Sequence, residues 1–288
     1  MEQIVYLNGS LVPRSQARIS PFDLGFLYGY GLFETMRAYS GLIFRLGIHM
    51  GRLRHSAALI GLPLEALDLG KACYDTLKAN KLSNARIRLT VSIGEGEATP
   101  NPPKHPKPTV LVIATSYTPP SAEAYRRGYK AVVSLIHQNS QSPLSHLKTV
   151  NYLNQLLARR EAKAKGADEA ILLNESGLLC EGSTCNIFLI SKGTLTTPDE
   201  ESGCLPGITR QVVIELAQEL GLKVAEREVR LEELLHADEA FLTSSLIELM
   251  PLTEVNGKPI GESKRGKVTE RLMAAYKEAV VKETKQGD

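Results

Sequence analysis

Residues 85–94, ARIRLTVSIG, alternate apolar and polar side chains without a break. Ile87, Leu89, Val91 and Ile93 face one way and Arg86, Arg88, Thr90 and Ser92 the other, a period of two that predicts a half-buried strand. Upstream, IVYL-NG-SLV reads as a hairpin closed on Asn8-Gly9. Helical spacing predicts helices over about 48–60 and 65–79. A Gly- and Pro-rich loop, GEGEATPNPPKHPKP, separates the alternating strand from another, TVLVIAT. The following SYTPPS is the best linker in the chain, so a boundary is expected near 117–121. This gives a small N-terminal α/β domain over residues 1–117, a linker at 118–121 and a larger C-terminal domain over 122–288.

The second half reads as strand KAVVSLI, a helix around HLKTVNYLNQLLARREAKAKG, and the strands EAILLNESGLLCEG and NIFLIS. In the helix, good from Leu153 onward, Val150, Leu153, Leu156 and Leu157 make one apolar stripe, with Lys148, Asn151, Tyr152 and Gln155 on the other side. Next comes ITRQVVIELAQELG, where Ile208, Val212, Leu216 and Leu220 recur every four residues and Gly221 marks the stop. Strands EAFLTS and LMPLTEV and a terminal helix from Gly266 complete the chain. Helices and strands alternate irregularly, so the fold class is α/β in the α+β, mixed-sheet sense.

Composition narrows the function classes. The length of 288 residues allows one large domain or two modest ones. A net charge of +2 with both signs interspersed gives no electrostatic case for nucleic acid. No apolar run approaches a membrane span, and Met1 leads into IVYLNG rather than a signal segment. The four cysteines (Cys73, Cys180, Cys185, Cys204) lack zinc-type spacing and read as reduced, mostly buried thiols. A cytoplasmic protein without a metal is expected.

Four features could carry chemistry. Lys148 sits beside an amide and a phenol, which suits either a solvated helix face or a lysine aimed into a pocket. In LPGITRQ a glycine precedes a helix, leaving the N–H groups of Ile208 and Thr209 and the Thr209 hydroxyl available to an anion. In CEGSTCNIF, Glu181 interrupts an apolar hairpin and precedes Gly182; it marks either a surface turn or a carboxylate for a protonated heterocyclic nitrogen. Arg86 and Arg88 share one strand face roughly 6–7 Å apart, an arrangement that meets solvent or grips carboxylates. The glycines at Gly29-Tyr30-Gly31 and Gly94-Glu95-Gly96 do not make a dinucleotide fingerprint.

These stretches together resemble the signature blocks of class IV aminotransferases, the fold-type IV pyridoxal-phosphate enzymes. The matching blocks are KTVNYL from Lys148, EGSTCNIF from Glu181, LPGITR from Leu205, SPFDLGFLYGYGLFETMR from Ser20 and HMGRL from His49. The family comprises branched-chain aminotransferases, D-amino-acid aminotransferases and 4-amino-4-deoxychorismate lyases. The resemblance runs from Tyr6 to about Tyr276, with the blocks in the right order. It implies a homodimer that uses pyridoxal 5'-phosphate, with a small N-terminal and a larger C-terminal domain holding the lysine. By the resemblance, Lys148 forms the Schiff base and shuttles the proton, Glu181 pairs with the pyridine nitrogen, and Tyr152 meets the ring oxygen. Arg52, the amides of Ile208 and Thr209 and the Ser245 hydroxyl cup the phosphate, and Leu205 packs on the ring. Tyr28, Phe33, Arg86, Arg88 and Leu246 are the implied substrate-side residues.

The member is less sharply drawn. Branched-chain enzymes usually carry Tyr-x-Arg where this chain has Arg86-Ile87-Arg88, and a Gly-Thr-Ala turn where it has Ser244-Ser245-Leu246. The two-arginine strand and the segment SLIELMP resemble bacterial aminodeoxychorismate lyases, which expel pyruvate to give 4-aminobenzoate. Glutamate is also a dicarboxylate, and Asn151-Tyr152 is an aminotransferase pattern. The favoured reading is transamination between an amino acid and a 2-oxo acid, with the lyase as alternative. A non-catalytic binder of a phosphorylated ligand is the distant third, since it needs neither Lys148 nor Glu181.

Overall fold

A computed structural model describes residues 2–285. The chain forms two compact units. The first runs to Thr118 and also takes in Leu147–Asn151 and the end of the chain from Lys282; the second holds Pro119–His146 and Tyr152–Val281.

The first unit contains strands β1 (Ile4–Leu7) and β2 (Ser10–Pro13), helix α1 (Leu24–Tyr28), and strands β3 (Gly31–Tyr39) and β4 (Leu42–Ile43). Helices α2 (Leu46–Leu59) and α3 (Leu69–Ala79) and strands β5 (Ala85–Ser92) and β6 (Thr109–Ser116) follow. Its six-stranded sheet has the order β2-β1-β6-β5-β3-β4, with antiparallel pairing throughout. The Asn8-Gly9 turn closes β1 on β2, both residues at positive φ as a two-residue hairpin turn needs. One face of β5 is the apolar one read from the alternation: Ile87, Leu89 and Val91 are fully buried, in one core with Leu53 of α2 and Leu69, Cys73 and Leu77 of α3. Each such side chain contributes roughly 1.5–3 kcal/mol. Ser92 departs from the alternation and is buried because its hydroxyl donates to Asp23 Oδ2 at 2.8 Å.

The second unit contains helix α4 (Ala122–Arg127), strand β7 (Tyr129–Val133), helix α5 (Leu153–Ala164), and strands β8 (Glu169–Leu173), β9 (Leu179–Gly182), β10 (Asn186–Ser191) and β11 (Thr194–Thr197). Helix α6 (Ile208–Glu219), strand β12 (Lys223–Glu226), helix α7 (Leu231–Leu235), strands β13 (Glu239–Ser244), β14 (Glu248–Val255) and β15 (Lys258–Pro259) and helix α8 (Lys267–Glu283) complete the chain. The second sheet runs β12-β11-β10-β13-β14-β7-β8-β9, with β15 beside β14. Its pairings at β11–β12, β14–β7 and β7–β8 are parallel and the others antiparallel. The mixed-sheet fold expected from the sequence is therefore the observed one.

Two readings need correction. Lys148 is not on a helix: α5 starts at Leu153, and the segment before it bridges β3 through Leu32 and Thr149. The apolar stripe of α5 is not its core face, because Leu153, Leu156 and Leu157 are exposed while Ala158 and Ala162 are buried. The small alanines fit beneath Ala170 and Leu172 of β8, where a leucine would not.

Candidate active site

In the first unit, the segment Leu147–Asn151 behaves as an extra piece of sheet edge. The Phe33 N–H donates to the Lys148 carbonyl at 2.8 Å, and the Val150 N–H to the Gly31 carbonyl at 3.0 Å. Leu147 and Thr149 are buried, so the backbone on either side of Lys148 is fixed. The Lys148 amine then lies 4.6 Å from the centroid of the Phe33 ring. The Arg88 guanidinium lies 3.8 Å from the same ring. The structure thus brings Lys148, Phe33 and Arg88 together. Arg86 is exposed, paired in register with Arg37 of β3, and Tyr28 is exposed on α1. Gly29 ends α1 in the left-handed region (φ +69°), and Asn151 Nδ2 donates to its carbonyl at 2.8 Å. A side chain at Gly29 would strike the Asn151 amide.

Arg52 belongs to a buried charge cluster. Glu34 sits on the core face of β3 at 1% exposure. It accepts from Arg52 Nε at 2.8 Å and Nη2 at 2.6 Å, and from His49 Nδ1 at 2.8 Å. His49 and Arg52 stand three residues apart and so share one face of α2. Burial pushes the Glu34 carboxyl upward, but the Arg52 charge and the His49 hydrogen bond outweigh it and hold the group at about 2. Burial lowers the His49 pKa, only partly opposed by Glu34 and reinforced by Arg52 and Lys148, so the imidazole is neutral. Sequence reading missed Glu34 and His49 as partners of Arg52; the signal was a lone acid inside an apolar stretch.

The second unit carries the other candidates. Glu181 is the penultimate residue of β9 and is buried. Its Oε2 accepts from the Leu205 N–H at 3.2 Å and the Asn186 amide at 3.5 Å, and Asn186 also donates to the Leu205 carbonyl at 2.8 Å. Glu181 and Leu205 are thus tied by one amide that sequence reading did not single out. The Tyr152 hydroxyl, at the N-cap of α5, donates to the Ser183 carbonyl at 3.2 Å.

Ile208 and Thr209 open α6, whose N-cap is Gly207 with no side-chain cap. The first-turn N–H groups therefore have no acceptor within the helix. A Cβ on Gly207 would fall 1.8 Å from Asn186 Oδ1, so only glycine fits there. Across the ladder from Asn186, the Thr243 hydroxyl is buried without a hydrogen-bond partner among the described residues. Ser245 and Leu246 are half-buried in the turn between β13 and β14.

This donor set suits pyridoxal 5'-phosphate chemically. The first unit offers an amine for the aldehyde; the second, by itself, offers a carboxylate anchored by N–H donors for a protonated ring nitrogen and an uncapped helix start with hydroxyls for a phosphate. No cluster of His, Cys, Asp or Glu among the described residues could hold a metal ion.

Known proteins of similar sequence and fold identify the family. A family model described as amino-transferase class IV matches residues 31–255. An aminodeoxychorismate lyase of Bacillus subtilis is 35% identical over 96% of this chain and 94% of its own. The crystal structure of the Escherichia coli branched-chain amino acid aminotransferase superimposes with a TM-score of 0.94 at 32% identity, covering 99% of this chain and 97% of that one. The branched-chain amino acid aminotransferase of Thermoproteus uzoniensis, crystallised with norvaline, gives 0.90 at 34%, covering 98% and 96%. A further branched-chain enzyme, complexed with N-(5'-phosphopyridoxyl)-L-glutamate, gives 0.91 at 31%, covering 98% and 95%. Matched over most of its length in sequence and fold, the chain belongs to the class IV aminotransferase family.

Proposed function

We propose that this PLP-dependent aminotransferase works through Lys148, moving an amino group between an amino acid and a 2-oxo acid. The observation that carries the reading is the fixed backbone on both sides of Lys148, which aims its amine at Phe33 beside Arg88. Pyridoxal phosphate supplies the electron sink when bound. Lys148 would hold the cofactor through its amine and would serve as the proton carrier at Nζ. Glu181, oriented by the Leu205 N–H and the Asn186 amide, would keep the ring nitrogen protonated. Tyr152 and Leu205 would hold the ring. Ile208 and Thr209 at the start of α6, the Ser245 hydroxyl and Arg52 would hold the phosphate. Arg52 does so as a preset group, already held by Glu34.

On the substrate side, Phe33 offers an apolar wall for aliphatic side chains, and Arg88 a cation for the second carboxylate of glutamate. Arg86, Tyr28 and Leu246 are assigned to the same side. Branched-chain amino acids are the favoured substrates, in line with the solved relatives. A lyase reading stays beside it because a named lyase is 35% identical over nearly the whole chain. We take the active unit as a homodimer, which the exposed Leu153, Leu156 and Leu157 on α5 support. The setting is read as cytoplasmic, consistent with four free buried cysteines and with the absence, among the described residues, of a helix able to cross a membrane.

The deciding assay supplies L-leucine, L-glutamate, D-alanine and aminodeoxychorismate separately. Release of the matching 2-oxo acid from one of the amino acids is expected. Release of pyruvate and 4-aminobenzoate from aminodeoxychorismate, with no amino acid converted, would replace it with the lyase.

A further inference from the structure

Glu169 begins β8 and is buried, at 1% exposure. Three consecutive side chains converge on it. The Ser183 hydroxyl donates to Oε1, the Thr184 hydroxyl to Oε2 at 3.1 Å, and the Cys185 thiol lies 3.7 Å from Oε2. Arg159 of α5 adds a partly exposed ion pair at 3.1 Å, and the Ala170 N–H donates at 2.9 Å. Burial, then the Glu169 charge, raise the Cys185 thiol well above its usual range, so it stays a protonated donor.

These three residues are the whole connection between β9 and β10. Glu181 stands two residues before Ser183, and Asn186 directly follows Cys185. Within the turn, the Gly182 N–H donates to the Cys185 carbonyl at 2.6 Å and the Ser183 N–H to the Ala170 carbonyl at 2.9 Å. The Ser183 carbonyl, held from both neighbouring groups, is the acceptor for the Tyr152 hydroxyl.

We propose that Glu169 is a positioning residue: by clamping Ser183, Thr184 and Cys185 onto one carboxylate, it sets at once the direction of the Glu181 carboxylate and the reach of the Tyr152 hydroxyl. The proposal rests on the reading of Glu181 and Tyr152 as cofactor-facing groups. A surface turn would need no such anchor. Three side-chain donors and an internal carboxylate are an arrangement for fixing geometry, since a buried carboxylate is tolerated only when its acceptor sites are filled. Clamping matters here because the two groups would meet the cofactor ring at different atoms, and a small shift of the turn moves both.

The test uses the holoenzyme and follows the pH midpoint of its near-visible absorbance, with steady-state kinetics and hydrogen exchange of the 183–186 amides alongside. Glu169→Gln keeps the volume but replaces one acceptor oxygen with an NH2. The expected result is a midpoint displaced by at least half a pH unit, a roughly tenfold lower kcat, a KM for the amino acid changed less than threefold and faster exchange at the turn in the cofactor-free protein as well. Arg159→Gln, which removes the outer ion pair and a long 3.4 Å donation to the Thr184 hydroxyl but leaves all three turn donors on Glu169, should move the midpoint far less than Glu169→Gln does. Combining Glu169→Gln with Tyr152→Phe should displace the midpoint by less than the sum of the two separate displacements, because the hydroxyl route is already lost and only the Glu181 route remains. If Glu169→Gln does not fold, Thr184→Val asks the same question with one donor removed and should move the midpoint in the same direction. A Glu169→Gln (or Thr184→Val) protein with the wild-type midpoint and kcat and only a lower melting temperature overturns the proposal. Absence of any near-visible band in the wild-type protein with added cofactor overturns the underlying reading of the site instead.

Discussion

At the scale of single residues, Glu34 ties acid stability to the site. Its pKa is held at about 2 in the fold against an ordinary 4.5. The unfolded chain therefore binds the proton first as pH falls, and stability on the order of 3 kcal/mol, present above pH 4.5, is lost between about 4.5 and 2. His49 acts in the same sense at higher pH: its pKa is lowered, so the unfolded chain takes up a proton below about 6.5 that the fold does not. Urea midpoints measured from pH 7 to pH 3 should fall steadily, and Glu34→Gln should flatten the slope below pH 4.5 while lowering stability at pH 7. An unchanged slope in the variant would mean that other carboxylates carry the acid sensitivity. Arg88 supports a kinetic prediction. Arg88→Ala should raise the KM for glutamate about tenfold or more and that for leucine much less; equal effects would make its stacking on Phe33 merely structural.

At the scale of elements, the helix start at α6 depends on Gly207. Gly207→Ala drives a Cβ into Asn186 Oδ1, and Asn186 must then give up the Leu205 carbonyl that it holds at 2.8 Å. A buried hydrogen bond lost in this way costs about 1–3 kcal/mol. The variant should bind pyridoxal phosphate about tenfold more weakly or worse and melt lower; wild-type affinity measured by titration would show that the α6 start is not the phosphate site. The elements differ in how much of them could be read from the chain. The alternation of β5, the Asn8-Gly9 hairpin and the stop of α6 at Gly221 are local signals, and each is where the pattern put it. Strand β3, which lies between β5 and the short edge strand β4, went unassigned because Glu34 stands on its apolar face. Only His49 and Arg52, 15 and 18 residues away, make that carboxylate tolerable. The helix drawn through Lys148 failed for a related reason: residues 147–151 take their hydrogen bonds from Gly31–Phe33, more than a hundred residues earlier, which no local spacing records.

At the scale of the molecule, the exposed leucines of α5 call for a partner surface, since Leu153, Leu156 and Leu157 form one apolar strip at i, i+3 and i+4. Sedimentation should show a dimer, and Leu156→Lys should weaken it; a wild-type monomer at micromolar concentration would contradict the assignment. The residues proposed for the site could be picked out in short blocks, such as Lys148 near Tyr152 and Glu181 beside Gly182, because chemistry constrains residue type at short range, whereas Asn186 was not singled out. Their supports were not, since Glu34 meets His49 and Arg52 of α2, and Glu169 meets the Ser183–Cys185 turn, only once the chain has folded. Every role assigned in the site depends on Lys148. The most direct test is the near-visible spectrum of the purified protein with pyridoxal phosphate, wild type against Lys148→Ala, before and after L-leucine or L-glutamate is added. A band in the wild type that bleaches with an amino acid, and is missing from Lys148→Ala, is the predicted result. The same band in Lys148→Ala would show that another amine holds the cofactor and contradict the central claim.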